Sequence, residues 1–409
     1  MPDPHTRPAR PIPSPDELKA RREVLRVLGA SALGLPLSAC GTGWGSVSLP
    51  GLGGSPSVEA QIPRAGLPGS VPTDPAQLDP VPPAELAAAQ QRRSRVVQPA
   101  GPQRILPRRI RPGGTIGLAA PAGVLRSRGQ LQEAISDVES LGFRTKTGRH
   151  VLARFGFLAG TDAQRAEDLM RLFADPDVDA ILAVRGGWGC ARILPLLDYE
   201  VIRQNPKPLI GYSDITALLL AIYAKTGLVT FHGPVGVSTW QGETVRSFLR
   251  VLVDGLPLRI GPETRSNRMA TRTIRGGVAE GPLAGGNLSV IAGMAGSEYL
   301  PDLADHVLFF EEVGEEAYRL DRLLTGLALT GMFDDPAAVV FGQCSSCGSS
   351  SGRSAEVVIR EHLERIASPS WLGAQIGHVS PVHTLPIGLP VQADANAGTL
   401  EFSPAVQRG

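Results

Sequence analysis

The stretch Pro208-Leu-Ile-Gly-Tyr-Ser-Asp214 decides the fold, because a short apolar run ends in a turn and a helical pattern begins directly after it, over 214–225. A strand that leads at once into a helix is typical of parallel sheets with helical crossovers. The turn would raise the Ser213 hydroxyl beside a helix N-terminus, where free N–H groups and the helix dipole stabilise negative charge. This arrangement is that of a nucleophile elbow without its usual second glycine. Helix capping by Ser213 or Asp214 is the alternative interpretation.

The same alternation of apolar strands and amphipathic helices continues on both sides of this stretch. It predicts strands at 115–120, 180–184, 208–211 and 228–231, and helices at 130–141, 162–173, 194–204 and 214–225. We therefore expect an α/β fold whose N-terminal domain, 104–240, has a mostly parallel sheet with helices on both faces. In open α/β sheets, ligands bind beyond the carboxyl ends of the strands. Arg185-Gly-Gly-Trp-Gly189 follows a predicted strand and is a candidate binding loop.

The pattern changes after 236–275, where Gly, Pro and Arg accumulate. A predicted strand at 307–310 ends at Glu311-Glu312, and a helix at 318–327 and a strand at 337–341 follow. These features predict an interdomain linker at 241–275 and a smaller C-terminal α/β domain at 276–409.

The N-terminal region has the features of an export signal. Arg21-Arg22 precedes an apolar run at 24–37, which is shorter than the roughly 20 residues that cross a bilayer. The run ends in Leu37-Ser-Ala-Cys40, which resembles a bacterial lipobox. We predict a twin-arginine lipoprotein signal peptide at 1–39 and lipidation of Cys40, with a short buried helix as the alternative. The predicted location is periplasmic or extracytoplasmic and membrane-anchored, and Gly41 after Cys40 favours the outer membrane.

Residues 40–103 are rich in Pro, Gly, Ser and Ala, which predicts a flexible tether. The formal net charge is +1 and the basic residues are scattered, which argues against nucleic-acid binding. Cys190 is expected to be buried. Cys344-Ser-Ser-Cys347 has no second pair at zinc-ligand spacing, so a local disulfide and two free thiols are the open alternatives.

A serine hydroxyl becomes a good nucleophile when an imidazole accepts its proton and a carboxylate orients that imidazole. The chain has seven histidines. His378, at a predicted strand end next to Gly377, is the best placed of them, with His232 and His383 also open. His362 lies in a charged helical stretch and is expected on a solvated face. Glu311 ends an apolar strand, where a carboxylate needs a partner, and an exposed acidic cluster is the alternative.

Five motifs occur in one order along the chain: Arg185-Gly-Gly-Trp-Gly189, Gly211-Tyr-Ser-Asp214, Gly285-Gly-Asn-Leu-Ser289, Phe310-Glu-Glu-Val-Gly-Glu315, and Gly377-His378 with Thr384-Leu-Pro-Ile-Gly388. Together they resemble the LD-carboxypeptidase family of serine peptidases, which includes microcin C immunity peptidases. The resemblance covers about 113–402. It implies that Ser213 is the nucleophile, Glu311 the orienting carboxylate and His378 the general base. It also implies an active site in a cleft between two domains, and a homodimer.

The reaction that this resemblance implies is removal of the terminal D-alanine from L,D-linked murein tetrapeptides through an acyl-enzyme. Backbone N–H groups of Gly187 and Asp214 are the expected oxyanion hole. Arg185, Trp188 and Asn287 are expected to contact the substrate. Arg185 is the candidate for binding the free D-alanine carboxylate because it opens the glycine loop at a strand end, with a structural salt bridge as the alternative. Trp188 replaces a tyrosine that is common in the family, and His383 an asparagine that is frequent there, so both positions bear on specificity.

Other functions fit the sequence less well. The chain lacks the Ser-x-x-Lys motif of penicillin-binding enzymes and the His-Glu-x-x-His motif of zinc peptidases. No metal or cofactor is expected. An immunity-type peptidase acting on a peptidyl-nucleotide antibiotic is one alternative, although its cytoplasmic substrate disagrees with the predicted export signal. A non-catalytic wall-binding lipoprotein is the other.

Overall fold

The computed structural model describes residues 102–262, 269–349 and 352–407, all within one compact unit, Pro80–Gly409. The predicted signal peptide, Cys40 and almost all of the predicted tether lie outside the described residues. No helix within the described ranges combines the length and the apolarity that a membrane span requires.

A six-stranded sheet carries the first half of the fold, in the order β12-β5-β4-β3-β1-β2. Its strands are β1 (Thr115–Ala119), β2 (Arg144–Thr147), β3 (Ala180–Ala183), β4 (Leu209–Gly211), β5 (Thr230–His232) and β12 (Leu385–Ile387). All neighbours are parallel except β12, which runs antiparallel to β5. The central strands are buried along their whole length because helices cover both faces. The predicted mostly parallel sheet is confirmed.

Six helices accompany this sheet: α1 (Arg128–Ser140), α2 (Asp162–Ala174), α3 (Cys190–Ile193), α4 (Tyr199–Gln204), α5 (Thr216–Thr226) and α6 (Glu243–Leu252). The start of α2 is determined locally, because Thr161 and Gln164 form a capping box. Helix α5 is apolar nearly all round and buried, since it packs against the first sheet on one side and against the second half of the fold on the other.

An eight-stranded sheet forms the second half, in the order β6-β14-β13-β8-β9-β10-β11-β7. Its strands are β6 (Leu258–Ile260), β7 (Arg272–Arg275), β8 (Val278–Asn287), β9 (Val307–Val313), β10 (Ala338–Ser345), β11 (Ser370–Leu372), β13 (Pro390–Asp394) and β14 (Thr399–Phe402). Strands β8 to β11 are mutually parallel and the other neighbours are antiparallel. The accompanying helices are α7 (Leu288–Met294), α8 (Ala317–Leu329) and α9 (Ala355–Glu364).

The stretch predicted as a linker, 241–275, is structured over much of its described length. It contains α6 and the edge strands β6 and β7. Phe248, Val251 and Leu252 are fully buried on one face of α6, because their spacing places them on the same helical side. The chain also returns to the first sheet through β12 after building most of the second. The two sheets are therefore not built from separate contiguous segments.

Candidate active site

Ser213 lies in a strained turn between β4 and α5. A short 3-10 turn, Ser213–Ile215, separates the strand from the helix, and Ser213 has a φ of 65°. A left-handed conformation at a non-glycine residue costs on the order of 1–3 kcal/mol and is frequent at functional sites. Ser213 caps neither the 3-10 turn nor α5, whose N-caps are Tyr212 and Ile215. The turn therefore has the strained geometry of a nucleophile elbow.

The hydroxyl of Ser213 belongs to a hydrogen-bonded line of three side chains. Ser213 Oγ is 3.0 Å from His378 Nε2, and His378 Nδ1 is 2.7 Å from Glu311 Oε2. An ionised carboxylate can only accept, so Nδ1 carries a proton and donates it to Glu311. In the neutral imidazole, Nε2 is then the acceptor for the Ser213 hydroxyl. This is the arrangement in which a histidine removes a serine proton.

The environment of His378 favours its protonated form. Burial by itself lowers the pKa of His378, but the hydrogen bond and charge of Glu311, with a contribution from Glu312, outweigh it and raise the pKa above its usual value. The ring packs edge-on against Tyr212, with centroids 4.9 Å apart. An imidazolium formed during proton transfer would therefore be stabilised and held in orientation.

Two adjacent glutamates of β9 have different partners. Glu311 is fully buried, and its second oxygen, Oε1, has no hydrogen-bond partner among the described residues. Glu312, which points to the other face of the strand, accepts hydrogen bonds from Asn287 Nδ2 at 2.9 Å and from the backbone and hydroxyl of Ser289 at 2.8 and 2.6 Å. The alternative of an exposed acidic cluster is wrong for both residues, because the strand continues into the interior.

The close packing around Glu311 depends on a glycine. Gly377 precedes His378 and has a φ of 124°, and a Cβ atom there would lie 2.9 Å from Glu311 Cβ and 3.0 Å from Glu311 Oε2. Only glycine fits both the backbone conformation and the space. Gly377 thus permits the loop after β11 to bring His378 onto the carboxylate.

Asp214 ties the serine turn to the glycine-rich loop after β3. Its Oδ2 accepts a hydrogen bond of 2.8 Å from the backbone N–H of Cys190, the first residue of α3. Burial raises the pKa of Asp214. Cys190 is fully buried, as predicted. Local sequence does not predict this contact of the Asp214 carboxylate, because its partner is 24 positions away.

A cavity of about 320 Å³ opens in front of Ser213 and His378. Its walls include residues 185–187, 212–213, 235 and 237, which follow β3, β4 and β5, together with Arg126 and Gln130 at the start of α1. The cavity therefore lies at the carboxyl ends of parallel strands, where ligands are expected. Gly187, one of the two residues predicted to form the oxyanion hole, is in its wall. Arg126 was not among the expected substrate contacts, and nothing in its local sequence marks it as one.

The residues expected to contact substrate have different positions. Arg185 lines the cavity, and its Nη1 donates a 2.8 Å hydrogen bond to the Val124 carbonyl. Trp188 is 54% exposed and lines a neighbouring cavity with Phe157, its edge-on aromatic partner. Asn287 is instead buried: its side chain caps α7 through Val290 and binds Glu312. Its amide is therefore used within the fold, and it is absent from the cavity wall.

The other candidate histidines do not reach the serine. His232 is fully buried, and burial together with the nearby His378 lowers its pKa to about 3. His383 lines a different cavity. The expectation that His362 is solvated is wrong, because it lies on the buried face of α9 and contacts Asp321 of α8 at 2.7 Å. Glu364, two residues further on, is exposed on the opposite side of the helix.

Cys344 and Cys347 form a disulfide at the end of β10. The hydroxyl of Ser345, inside this small ring, donates a 2.9 Å hydrogen bond to the carbonyl of His378. The bridged segment therefore contacts the loop that carries His378. Within the described ranges, no three His, Cys, Asp or Glu side chains are grouped as a metal site would require.

Residues 116–233 match the family model for the LD-carboxypeptidase N-terminal domain, and residues 280–393 match the model for the C-terminal domain. A probable murein peptide carboxypeptidase of Bacillus subtilis is 34% identical over 312 residues, which cover 74% of this chain and 94% of that protein. A murein tetrapeptide carboxypeptidase of Pseudomonas aeruginosa is 33% identical, covering 69% of this chain and 94% of the relative. The solved structure of MccF in complex with glutamyl sulfamoyl guanosine has a TM-score of 0.67 at 27% identity, covering 74% of this chain and 99% of MccF.

Proposed function

Because the chain belongs to the LD-carboxypeptidase family, we propose that it is a serine carboxypeptidase that removes the terminal D-alanine from L,D-linked murein tetrapeptides. One observation carries the proposal: the uninterrupted hydrogen-bonded line from Ser213 through His378 to the buried Glu311. The names of the relatives from Bacillus subtilis and Pseudomonas aeruginosa support the choice of murein peptides.

The proposed mechanism is acyl transfer. His378 Nε2 removes the proton of the Ser213 hydroxyl as the oxygen attacks the carbonyl carbon of the last peptide bond. Backbone N–H groups of Gly187 and Asp214 stabilise the oxyanion, and one such donor is worth about 2.7–4 kcal/mol of barrier. The protonated His378 then gives its proton to the departing D-alanine amine. Water attacks the acyl-enzyme with His378 again as the base, which regenerates Ser213.

The test is release of free D-alanine from L-Ala-γ-D-Glu-meso-diaminopimelate-D-Ala by the full chain, with the Ser213→Ala variant as the control. We expect turnover by the wild-type protein and none above background by Ser213→Ala, whose thermal unfolding should match that of the wild type. Wild-type rates in Ser213→Ala would remove Ser213 from the mechanism. Absence of D-alanine release by the wild-type protein would refute the carboxypeptidase proposal.

The similarity to MccF supports a second candidate, a peptidase acting on an aminoacyl-nucleotide compound. Glutamyl sulfamoyl guanosine, the molecule in that complex, is a suitable probe. Tight binding of this compound with no reaction on the murein tetrapeptide would favour the second candidate over the first.

The proposed cellular context follows from the N-terminal sequence. We propose that the protein is exported and anchored through a lipid on Cys40, in the outer membrane, and that it forms a homodimer. A Cys40→Ser variant should move from the membrane fraction to the soluble fraction, while the wild-type protein should require detergent for release. Light scattering of the purified protein should give twice the mass of one chain.

A further inference from the structure

We propose that Arg126 binds the terminal carboxylate of the peptide substrate and thereby makes the enzyme specific for the free C-terminus. The inference rests on the proposed carboxypeptidase function. A peptidase that removes one C-terminal residue needs a group that recognises the end of the chain, and an arginine can bind a carboxylate with two parallel hydrogen bonds.

The charges around the catalytic cavity fit an anion. Arg126 and Arg185 both line the cavity that contains Ser213 and His378, and none of the described residues that line it is an aspartate or glutamate. Glu311 lies behind His378, fully buried, and is not in the cavity wall. The charged side chains that the described cavity wall offers to a substrate are therefore two guanidinium groups.

The two arginines differ in whether their guanidinium groups form hydrogen bonds within the protein. Arg185 donates to the carbonyl of Val124. Arg126 is exposed, and its guanidinium group forms neither an ion pair nor a hydrogen bond with another residue in 102–262, 269–349 or 352–407. All the side-chain donors of Arg126 are thus open to a ligand.

The backbone of Arg126 is nevertheless held in place. Its N–H donates to Gln130 Oε1 at 2.8 Å, while the N–H of Gln130 donates to the N-cap Ser127. Gln130 also lines the cavity. These two hydrogen bonds fix the backbone at the edge of the cavity. They do not involve the side chain of Arg126, which can therefore change rotamer.

Helix stability does not explain the arginine. Arg126 and Arg128 flank the N-cap of α1, and no acidic residue occupies the first turn of this helix. Cations near a helix N-terminus are unfavourable because they oppose the helix dipole. A further role for one of these arginines would account for its position, and only Arg126 lines the cavity.

The location of Arg126 also fits a substrate from which a single C-terminal residue is removed. A single residue spans at most about 3.6 Å along an extended chain, so the carboxylate of the leaving D-alanine lies close to the bond that Ser213 attacks. Ser213 and Arg126 line the same cavity, so one substrate molecule bound there can contact both.

The experiment compares two substrates and two matched variants of the full chain. The substrates are L-Ala-γ-D-Glu-meso-diaminopimelate-D-Ala and the same peptide with a C-terminal carboxamide. For Arg126→Gln we expect kcat/KM on the free acid to fall about 10- to 100-fold, mainly through KM, which corresponds to the loss of a charged hydrogen-bonded pair. The rate on the carboxamide should stay within about twofold, because that substrate has no terminal charge for Arg126 to bind.

Arg128→Gln is the control. Arg128 lies two residues from Arg126 and has the same charge, but its side chain does not line the cavity. Arg128→Gln should leave both substrates unaffected, and Arg126→Lys should recover part of the loss. Equal loss on acid and carboxamide, equal effects of the two glutamine variants, or an unchanged KM in Arg126→Gln would each overturn the inference.

If the wild-type protein releases no D-alanine, the proposed function fails. Peptide binding then tests the role of Arg126 independently of turnover. Calorimetric titration of Ser213→Ala with the two peptides should show tighter binding of the free acid, and this preference should disappear in Ser213→Ala/Arg126→Gln. Equal affinities for acid and carboxamide in Ser213→Ala would overturn the role of Arg126.

Discussion

Gly186 lies so close to Ser213 that a Cβ atom on the glycine would be 2.8 Å from Ser213 Cβ and 3.0 Å from Ser213 Oγ. Real Cβ atoms do not approach other carbon atoms this closely, so one of the two segments would have to move. The glycine loop after β3 therefore forms the wall against which the strained Ser213 turn is held.

We predict that Gly186→Ala lowers kcat/KM by about 10-fold or more, because a shift of about 1 Å in a catalytic group can cost 100-fold. Steady-state kinetics on the murein tetrapeptide measure the effect. Gly326→Ala is the control: the added methyl group at this exposed position of α8 meets no atom within 4 Å, and it should retain full activity. Full activity in Gly186→Ala would show that the turn tolerates displacement.

Glu311→Gln and Glu312→Gln should separate catalysis from stability. In Glu311→Gln the amide no longer fixes the tautomer of His378, and we expect kcat to fall about 10⁴-fold, as for the equivalent change in other serine triads. Glu312→Gln replaces the charged acceptor for Asn287 and Ser289, and we expect a loss of about 2–3 kcal/mol in the free energy of unfolding. Urea unfolding and steady-state kinetics of both variants measure the two effects. Comparable kcat values in the two variants would contradict these roles.

The pH–rate profile should report the raised pKa of His378. The base acts in its neutral form, so activity rises as the pH passes upward through the pKa of His378, which lies above the usual 6.5. The midpoint of the acidic limb of the kcat/KM profile should therefore lie above pH 6.5 in the wild-type protein. In Glu311→Gln the residual activity should show a limb at lower pH, because the main group that raises the pKa is gone. An unshifted limb would mean that another group controls it.

His232 should make the folded state acid-sensitive. Its pKa is about 3 in the folded protein against 6.5 in an unfolded chain, so between these values the unfolded state binds more protons. Stability conferred by the neutral ring is present above pH 6.5 and is lost as the pH falls towards 3, with a slope of at most about 1.4 kcal/mol per pH unit. We expect His232→Phe to flatten the pH dependence of urea unfolding between pH 6.5 and 4. Parallel curves for the two proteins would exclude this contribution.

The Cys344–Cys347 disulfide should support the position of His378. In Cys344→Ser/Cys347→Ser, the segment that hydrogen-bonds to the His378 carbonyl through Ser345 loses its constraint. We expect kcat to fall by roughly 3- to 10-fold and stability by about 2 kcal/mol, the chain entropy of so short a loop. Ser345→Ala should reproduce the kinetic effect and keep most of the stability. Dithiothreitol should affect the wild-type protein and not the double variant.

Local sequence patterns predicted most of the first sheet and its helices. The predicted strand 208–211 and helix 214–225 agree with β4 and α5 to within two residues at each end. Edge elements were predicted less well: α6, β6 and β7 lie in a stretch whose Gly and Pro content suggested a linker. Short edge strands bury few side chains, so their apolar pattern is weak.

The sequence by itself determined the elements whose cause is local, namely the strand and helix periodicities, the caps, and the turn that displays Ser213. Local patterns left three histidines open, and His378 was favoured through the order of the motifs; only the tertiary structure brings its ring to the serine, because Ser213 and His378 are 165 positions apart. It also decided that Asn287 anchors Glu312 and that Arg126 lines the cavity. Periodicity and capping act over a few residues, whereas these contacts depend on how two sheets pack and on where glycines allow their backbones to approach.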